Sequence, residues 1–242
     1  MKIIIVENSE EFGKAAFNEV YKVVKNNPSA TLGLATGSTP LPLYAEMVKD
    51  HRDRGTSYKD VRTFNLDEYV GLPASHKESY VNFMTRNLFS KIDVDMKNVN
   101  IPCGTAENVD EECARYSAML QNAVVDIQVL GIGGNGHIAF NEPGTPFDSV
   151  THRVWLTEKT ISDNSRFFGQ IDEVPKSAIT MGIGEIMRAK KILMLASGKN
   201  KADAVFRMIS GKVDESYRIK KFYSFNNRFI CKFIDKEAAS KL

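Results

Sequence analysis

The sequence has 242 residues, of which 43% are hydrophobic and 26% are charged, and its formal net charge is +2. These proportions are ordinary for a chain with a sizeable core, and the length fits one large α/β domain or at most two small ones. Acidic and basic residues are mixed along the chain, which gives no indication of nucleic-acid binding. No apolar run reaches the length of a membrane span or a signal peptide. We therefore expect a cytoplasmic protein without a membrane association.

The cysteine content predicts neither a disulfide framework nor a metal centre. The three cysteines, Cys103, Cys113 and Cys231, are an odd number and lack the paired spacing of a zinc site. We expect them to be structural thiols.

Strand-like and helix-like segments alternate through most of the sequence. In chain order, the apolar patterns predict strands at 3–6, 31–35, 61–66, 98–102, 124–130 and 191–196, and helices at 9–26, 41–51, 79–91 and 110–121. Two further helices are predicted to begin at Ser162 and at Lys201, and residues 144–157 are expected to be irregular and partly extended. This alternation indicates an α/β fold, a doubly wound and mainly parallel Rossmann-like sheet with helices on both faces, in a single domain over residues 1–242.

A turn of small residues, Thr36, Gly37, Ser38 and Thr39, joins the second strand to Pro40 and the second helix. This layout binds phosphate, because backbone N–H groups and hydroxyls point at the anion and the helix dipole favours its charge. The turn has neither the Gly-Lys of a Walker loop nor the Gly-x-Gly-x-x-Gly fingerprint, which indicates a phosphorylated ligand smaller than a nucleotide. The alternative is an ordinary helix capped by serine or threonine.

Two adjacent carboxylates, Asp67 and Glu68, follow the third strand. Neighbouring side chains at a strand end point in opposite directions, so one carboxylate can enter a cleft while the other faces away. The alternative is a solvated corner in which neither carboxylate has a catalytic part.

A glycine-containing loop follows the strand at 124–130 and leads into His137 and Glu142. Closely spaced glycines let the backbone turn sharply and approach a ligand, and ligands of open parallel sheets lie beyond the carboxyl ends of the strands. A histidine beside a carboxylate can hold the tautomer and basicity that proton transfer at neutral pH requires. The alternative is a hairpin turn at Asn135-Gly136 with a histidine of no special function.

Two cationic side chains complete the candidate site. Arg166 is able to reach a phosphate in a bidentate manner, and Lys201 lies in a second strand-to-helix turn. Without a phosphate partner, Arg166 is more simply interpreted as a surface residue.

Five segments, taken together, resemble the glucosamine-6-phosphate deaminase family. They match the family in order and spacing up to about Glu215, and they are residues 36–40, 64–71, 133–143, 164–168 and 198–202. The resemblance implies conversion of glucosamine 6-phosphate and water to fructose 6-phosphate and ammonia, as part of amino-sugar catabolism. It also implies that no metal or organic cofactor takes part and that the protein is a monomer or a homo-oligomer.

The resemblance also implies roles for the residues of the carboxylate pair and the glycine-containing loop. Asp67 corresponds to the general base that moves a proton between carbons 2 and 1 of the opened sugar. His137, oriented by Glu142, corresponds to the residue that opens the sugar ring. Asn135 stands where many members have an aspartate that completes a carboxylate–histidine–carboxylate relay, and where others have asparagine. We therefore expect activity with a less basic relay around His137.

The family's phosphate-binding elements correspond to residues 36–39, Arg166 and Lys201. The family pattern is then lost over residues 216–234 and is clear again at 235–239. Loss and recovery over such a short window is typical of a local reading-frame shift. If the protein contains this segment as written, we expect lower stability or slower turnover.

Two other functions are compatible with parts of the pattern. A 6-phosphogluconolactonase has a related fold and a Gly-His loop but hydrolyses a lactone, and its loop resembles Gly-His-x-Ala-Ser-Leu-Phe rather than residues 136–142 of this chain. A sugar-phosphate sensor would keep the phosphate loop, but it has no need of Asp67, His137 and Glu142 together.

Overall fold

The computed structural model describes residues 2–210 and 230–242 and has the predicted alternation of strands and helices. In chain order the strands are β1 (Lys2–Val6), β2 (Thr31–Leu34), β3 (Arg62–Asn65), β4 (Asp67–Tyr69), β5 (Val99–Asn100), β6 (Ile127–Gly131), β7 (His152–Trp155), β8 (Ser177–Thr180), β9 (Ile192–Ala196) and β10 (Ile230–Asp235). The α-helices are α1 (Ser9–Asn26), α2 (Leu41–Arg54), α3 (Tyr80–Asn87), α4 (Val109–Gln121), α5 (Glu158–Ser165), α6 (Ile183–Ile186) and α7 (Ala202–Ser210).

The larger sheet has seven strands in the order β1-β10-β9-β6-β2-β3-β5, and each neighbouring pair runs parallel. The residues of β2 and β9 are buried throughout, as expected of strands that are covered by helices on both faces. The predicted doubly wound parallel sheet, flanked by helices, is confirmed.

The strand order places a switch point between β2 and β6. The chain leaves β2 through α2 and continues to β3 on one side, whereas from β6 it proceeds to β9 on the other side. Where neighbouring strands lead in opposite directions, their carboxyl ends leave a crevice that binds ligands. The loops after β2 and β6 are those that hold the two glycine-containing motifs.

A smaller antiparallel sheet, in the order β4-β8-β7, stands at the end of β3. The backbone N–H of Met181 donates to the carbonyl of Leu66 at 2.7 Å, and that of Val70 donates to the carbonyl of Ser177 at 2.9 Å. Asp67 therefore starts a new strand instead of ending the third one.

Two local predictions differ in detail from the structure. The stretch 144–157, expected to be irregular and partly extended, contains the strand β7, which pairs along its length with β8. The helix expected to open at Ser162 begins at Glu158, because the Thr157 side chain caps it by accepting a hydrogen bond from the N–H of Thr160.

The segment that departs from the family pattern falls mainly outside the described residues. Residues 216–229 are not described, and residues 230–234 belong to β10, which pairs with β1 and β9. Among the helices of the described residues, none is both long enough and apolar enough to cross a membrane.

Candidate active site

A cavity of about 590 Å³ lies at the carboxyl ends of the parallel strands. Ala35, Leu66, Ile132 and Ser197, which come just after β2, β3, β6 and β9, line it. The predicted site residues that line it are Thr36, Gly37, Ser38, Thr39, Asp67, His137, Arg166 and Lys201. The structure therefore brings the phosphate motif, one carboxylate and the histidine to one cavity.

The small-residue turn after β2 has a backbone conformation that depends on Gly37, and it leads into the start of α2. Gly37 has a φ of +92°, which is a backbone conformation that side-chain-bearing residues rarely adopt. The Tyr44 hydroxyl fixes the strand end by donating to the carbonyl of Ala35 at 2.6 Å and accepting from its N–H at 3.1 Å. The N-cap of α2 is Pro40, and no side chain among the described residues caps the helix. The alternative of an ordinary Ser/Thr-capped helix is thus disfavoured. The N–H of Leu41 donates to the carbonyl of Ser38 at 3.3 Å and Pro42 has no N–H, so the first turn of α2 does not need a side-chain cap at these two positions.

Asp67 is buried, with 6% of its surface exposed, at the wall of the cavity. Burial, with a smaller contribution from the Glu68 carboxylate, raises the pKa of Asp67 to about 8. A carboxyl group with a pKa near neutrality is suited to take a proton and return it, because neither protonation state is strongly favoured. Its Oδ1 atom is buried and has no hydrogen-bond partner among the described residues.

The neighbouring carboxylate, Glu68, faces away from the cavity, as the alternation along a strand predicts. It accepts backbone hydrogen bonds from Tyr69 at 2.8 Å, Tyr80 at 3.0 Å and Val81 at 3.0 Å. The last two N–H groups belong to the first turn of α3, where the helix dipole favours negative charge. Burial raises the pKa of Glu68, and the three hydrogen bonds lower it by a smaller amount, so the pKa stays above its ordinary value. Glu68 therefore attaches the strand that carries Asp67 to the start of α3.

Gly133 makes room for the imidazole of His137. A methyl group at Gly133 would lie 2.4 Å from the Cδ2, Cε1 and Nε2 atoms of that ring. The loop also closes on itself, since the N–H of Gly133 donates to the carbonyl of His137 at 2.9 Å. Lack of a side chain at Gly133 thus permits the ring to lie against the backbone of its own loop.

Asn135 connects His137 with Glu142. Its side-chain oxygen accepts from the backbone N–H of His137 at 3.1 Å, and its Nδ2 donates to a Glu142 carboxylate oxygen at 2.7 Å. The other Glu142 oxygen accepts from the hydroxyl of Thr160, in α5, at 3.3 Å. Asn135 and Glu142 do not belong to the described lining of the cavity. That Glu142 orients the imidazole stays a prediction, since these hydrogen bonds link Glu142 to the His137 backbone through Asn135.

The loop turns sharply after His137 and is attached to β8. Ile138 and Asn141 exchange backbone hydrogen bonds around Ala139, whose φ is +53°. The Asn141 side chain donates to the carbonyl of Met181 at 2.8 Å, and the N–H of Phe140 donates to the hydroxyl of Thr180 at 3.2 Å. A second tight turn lies at residues 133–136, where the N–H of Gly136 donates to the carbonyl of Gly133 at 2.9 Å. The turn predicted at Asn135-Gly136 is thus present, but β6 pairs with parallel strands among the described residues, so the turn does not join a hairpin.

Thr180 contacts both the strand that carries Asp67 and the loop that carries His137. It is the residue of β8 that pairs with Asp67 of β4, and its hydroxyl holds the histidine loop through Phe140. A fixed relative position of two side chains is what proton transfer in steps requires.

The sequence matches the model of one known family across most of its length. The match covers residues 7–226, and the family is described as glucosamine-6-phosphate isomerases and 6-phosphogluconolactonase. The chain belongs to this family. The resemblance inferred from the five segments is confirmed.

Several relatives within the glucosamine-6-phosphate isomerase/6-phosphogluconolactonase family carry the name glucosamine-6-phosphate deaminase. One from Clostridium novyi is 46% identical over 243 residues, and the match covers 100% of both chains. One from Halalkalibacterium halodurans is 50% identical over 218 residues, which covers 90% of this chain and 89% of the relative.

Solved structures of both kinds of enzyme in the family description are similar to this chain, to different degrees. A structure described as a monomeric glucosamine-6-phosphate deaminase is 41% identical, with a TM-score of 0.96 and full coverage of both chains. The 6-phosphogluconolactonase of Trypanosoma brucei is 20% identical with a TM-score of 0.79, covering 100% of this chain and 98% of the other. The second likeness shows the fold alone, whereas the first is also close in sequence.

Some residues of this family member's cavity were not predicted from the sequence. In the helix predicted at 79–91, the helical spacing of Tyr80, Phe83, Met84 and Leu88 predicts one core-facing stripe. Tyr80 and Phe83 line the cavity instead, as does the cation Arg86. The signal that was available is the polar tip of Tyr80 and the charge of Arg86 on a helix that directly follows the Asp67 strand. Asn164 of α5 also lines the cavity, and its Nδ2 donates to the Tyr69 hydroxyl at 2.9 Å.

Proposed function

We propose that this chain is a glucosamine-6-phosphate deaminase, which converts glucosamine 6-phosphate and water to fructose 6-phosphate and ammonia. The observation that carries the proposal is the buried Asp67 in the same cavity as His137 and the uncapped start of α2. The relatives at 46% and 50% identity, which have the same activity in their names, support it.

The residues can be assigned to successive steps of this reaction. His137 moves the protons that open the sugar ring, since the anomeric hydroxyl must lose a proton and the ring oxygen must gain one. Asp67 then removes the proton of carbon 2 next to the aldehyde, while the aldehyde oxygen takes a proton from the ammonium group of the substrate, which gives an enol with a neutral amino group on carbon 2. Return of that proton to carbon 1 leaves an imine at carbon 2 and a hydroxymethyl group at carbon 1. Water adds to the imine carbon, ammonia leaves, and the ketone of fructose 6-phosphate remains.

The phosphate has a separate place in the cavity. The turn of residues 36–39 offers backbone N–H groups and hydroxyls, and Arg166 and Lys201 offer positive charge. Binding the phosphate away from the reacting carbons fixes the sugar chain relative to Asp67 and His137, and such orientation contributes to the rate of each proton transfer. The proposal also includes a cytoplasmic location and a single domain over residues 1–242.

Stoichiometric release of ammonia and fructose 6-phosphate from glucosamine 6-phosphate is the expected result for the wild-type chain. Coupled enzymatic assays of both products measure it, with hydrolysis of 6-phosphogluconolactone assayed in parallel. Lactone hydrolysis without ammonia release would show the other branch of the family. Binding of glucosamine 6-phosphate with neither activity would show a sensor.

Replacement of Lys201 by methionine is expected to raise KM about tenfold or more with a much smaller effect on kcat, since a charge-assisted hydrogen bond contributes about 1.5–3 kcal/mol. The phosphate is not a reacting group, so its loss of binding appears mainly in KM. Lys199→Met is the matched control, because Lys199 belongs to the same short turn and is exposed outside the cavity lining. Equal kinetic effects of both variants would contradict a phosphate contact by Lys201.

A further inference from the structure

Lys201, which lines the cavity, lies in a turn after β9 whose backbone is held by its own hydrogen bonds. The N–H of Lys201 donates to the carbonyl of Gly198 at 3.0 Å, and the N–H of Ala202 donates to the carbonyl of Lys199. Gly198 has a φ of +89°, which residues with a side chain rarely adopt. The position of the Lys201 backbone therefore depends on the position of Gly198.

The carboxylate of Asp235 binds this turn at Gly198. Its two oxygens accept from the N–H of Gly198 at 3.1 and 2.9 Å. Asp235 is the last residue of β10, and the residue before it, Ile234, pairs with Ala196 at the end of the neighbouring strand β9. Asp235 does not belong to the described lining of the cavity. The ends of two parallel neighbours thus bring this carboxylate to a turn of the cavity without placing it in the cavity.

Asp235 also connects the turn to a buried part of the C-terminal segment. Its Oδ1 accepts from the N–H of Ala238 at 2.8 Å, and Ala238 is fully buried in the core. The backbone carbonyl of Asp235 accepts from the N–H of Ala239 at 2.9 Å. Hydrogen bonds to an ionised acceptor are about twice as strong as those between neutral groups. Gly198 is therefore attached through one carboxylate to the core.

Lys201 offers its ammonium group to the cavity, whereas two N–H groups of the turn already have acceptors. The N–H of Gly198 donates to Asp235, and the N–H of Lys201 donates to a carbonyl within the turn. A lysine has a compact charge at the end of a flexible stem, and ordering such a side chain opposes binding. A fixed backbone at Lys201 limits the positions that its ammonium group can take, which favours binding of an anion at one place.

We propose that Asp235 is a positioning residue for phosphate binding, because it fixes Gly198 and thereby the backbone of Lys201. The carboxylate itself does not touch the ligand. This role depends on the proposed function, which supplies the phosphate of the substrate. It follows that Asp235 contributes to substrate affinity only while Lys201 is present.

The test measures binding of 2-amino-2-deoxyglucitol 6-phosphate, which has no aldehyde and so cannot react, by titration calorimetry near pH 7. Asp235→Ala is expected to raise Kd about threefold to tenfold, which lies within the range of coupling between residues of one hydrogen-bond network. KM for glucosamine 6-phosphate is expected to rise in parallel while kcat changes less than about twofold, since the phosphate is not a reacting group. Asp235→Asn keeps one acceptor oxygen, so its Kd is expected to lie between those of the wild-type chain and Asp235→Ala.

The Lys201→Met background distinguishes positioning from a general structural effect. In that background, Asp235→Ala is expected to raise Kd by less than about twofold, because the contact that Asp235 positions is already absent. The same factor in both backgrounds would overturn the positioning role. If Asp235→Ala does not fold, Asp235→Asn provides the same comparison.

Asp203→Ala is the matched control, because Asp203 lies in α7 close to the same turn. Its exposed carboxylate accepts from Lys241 at 2.5 Å and has no described contact with Gly198. This variant is expected to keep Kd and kcat within about twofold. Equal weakening by Asp203→Ala and Asp235→Ala, or tighter binding by Asp235→Asn, would also overturn the positioning role. Absence of ammonia release by the wild-type chain would overturn the proposed function, while calorimetry with the sugar phosphate would still decide the role of Asp235.

Discussion

Asp67→Asn is expected to lower kcat for ammonia release about a hundred- to ten-thousandfold, which is the range that a positioned general base contributes. An asparagine amide has the size of the carboxyl group but cannot take the proton from carbon 2. Steady-state kinetics measure the loss. Exchange of the carbon 2 hydrogen with deuterated water, followed by NMR, locates the loss at the proton transfer and is expected to disappear together with turnover.

A second carboxylate of the cavity provides the control for Asp67. Glu78 lines the same cavity at the start of the segment that leads into α3. Glu78→Gln is expected to keep kcat within about threefold, because no step of the proposed chemistry uses this group. Wild-type hydrogen exchange in Asp67→Asn, or equal losses in both variants, would show that Asp67 is not the base.

The same substitution has a predictable effect on stability. The pKa of Asp67 is about 8 in the folded chain and about 3.9 in an unfolded one, so the folded state holds the extra proton between these values. Stability from this group is present below the unfolded pKa and is lost as pH rises through the folded pKa. The Asn variant has no such loss. Its Tm, measured by calorimetry, is expected to rise relative to the wild-type Tm from about pH 5 to about pH 8.

Asp67 is thus expected to raise activity and to lower stability near neutral pH. A buried carboxylate costs stability, and catalytic sites commonly combine such costs with activity. The neighbouring Glu68 carboxylate adds to this cost, since it is one of the causes that raise the pKa of Asp67. A more stable and less active Asp67→Asn variant would be the expected signature of that compromise.

Local signals in the sequence predicted the elements around the site well. The helix predicted at 9–26 is found at Ser9–Asn26, since the Asn8 side chain caps its start and Asn27-Pro28 follows its end. The turn of residues 36–39 was predicted to lie between a strand and a helix, and it does. In each case the decisive interaction lies within a few residues of the signal.

Predictions failed where a distant segment decides the structure. The three-residue strand β4 exists because its backbone pairs with β8, far along the chain, and no local pattern in Asp67–Tyr69 reveals that partner. Helical spacing placed Tyr80 and Met84 on one stripe, yet Met84 is fully buried in the core while Tyr80 lines the cavity. Periodicity gives the apolar face of a helix, but it does not tell whether that face meets protein or a ligand.

Gly133→Ala is expected to lower kcat about a hundredfold, because misplacement of a catalytic group by about 1 Å can have an effect of that size. The added methyl group would lie 2.4 Å from ring atoms of His137, so the imidazole must move. Steady-state kinetics measure kcat, and calorimetry with 2-amino-2-deoxyglucitol 6-phosphate measures binding of a ligand that needs no ring opening. Its affinity is expected to stay within about threefold, since the residues proposed to bind the phosphate are unchanged.

Gly134→Ala is the matched control within the same loop. A methyl group there would meet one atom, the carbonyl oxygen of Asn200 at 3.6 Å, which is an ordinary van der Waals contact. Neither Gly133 nor Gly134 has a positive φ, unlike Gly136 with a φ of +93°. Alanine is therefore compatible with the backbone at both positions, and the two variants differ in whether the methyl group meets His137. Similar kcat values for both variants would show that the position of this ring does not limit turnover.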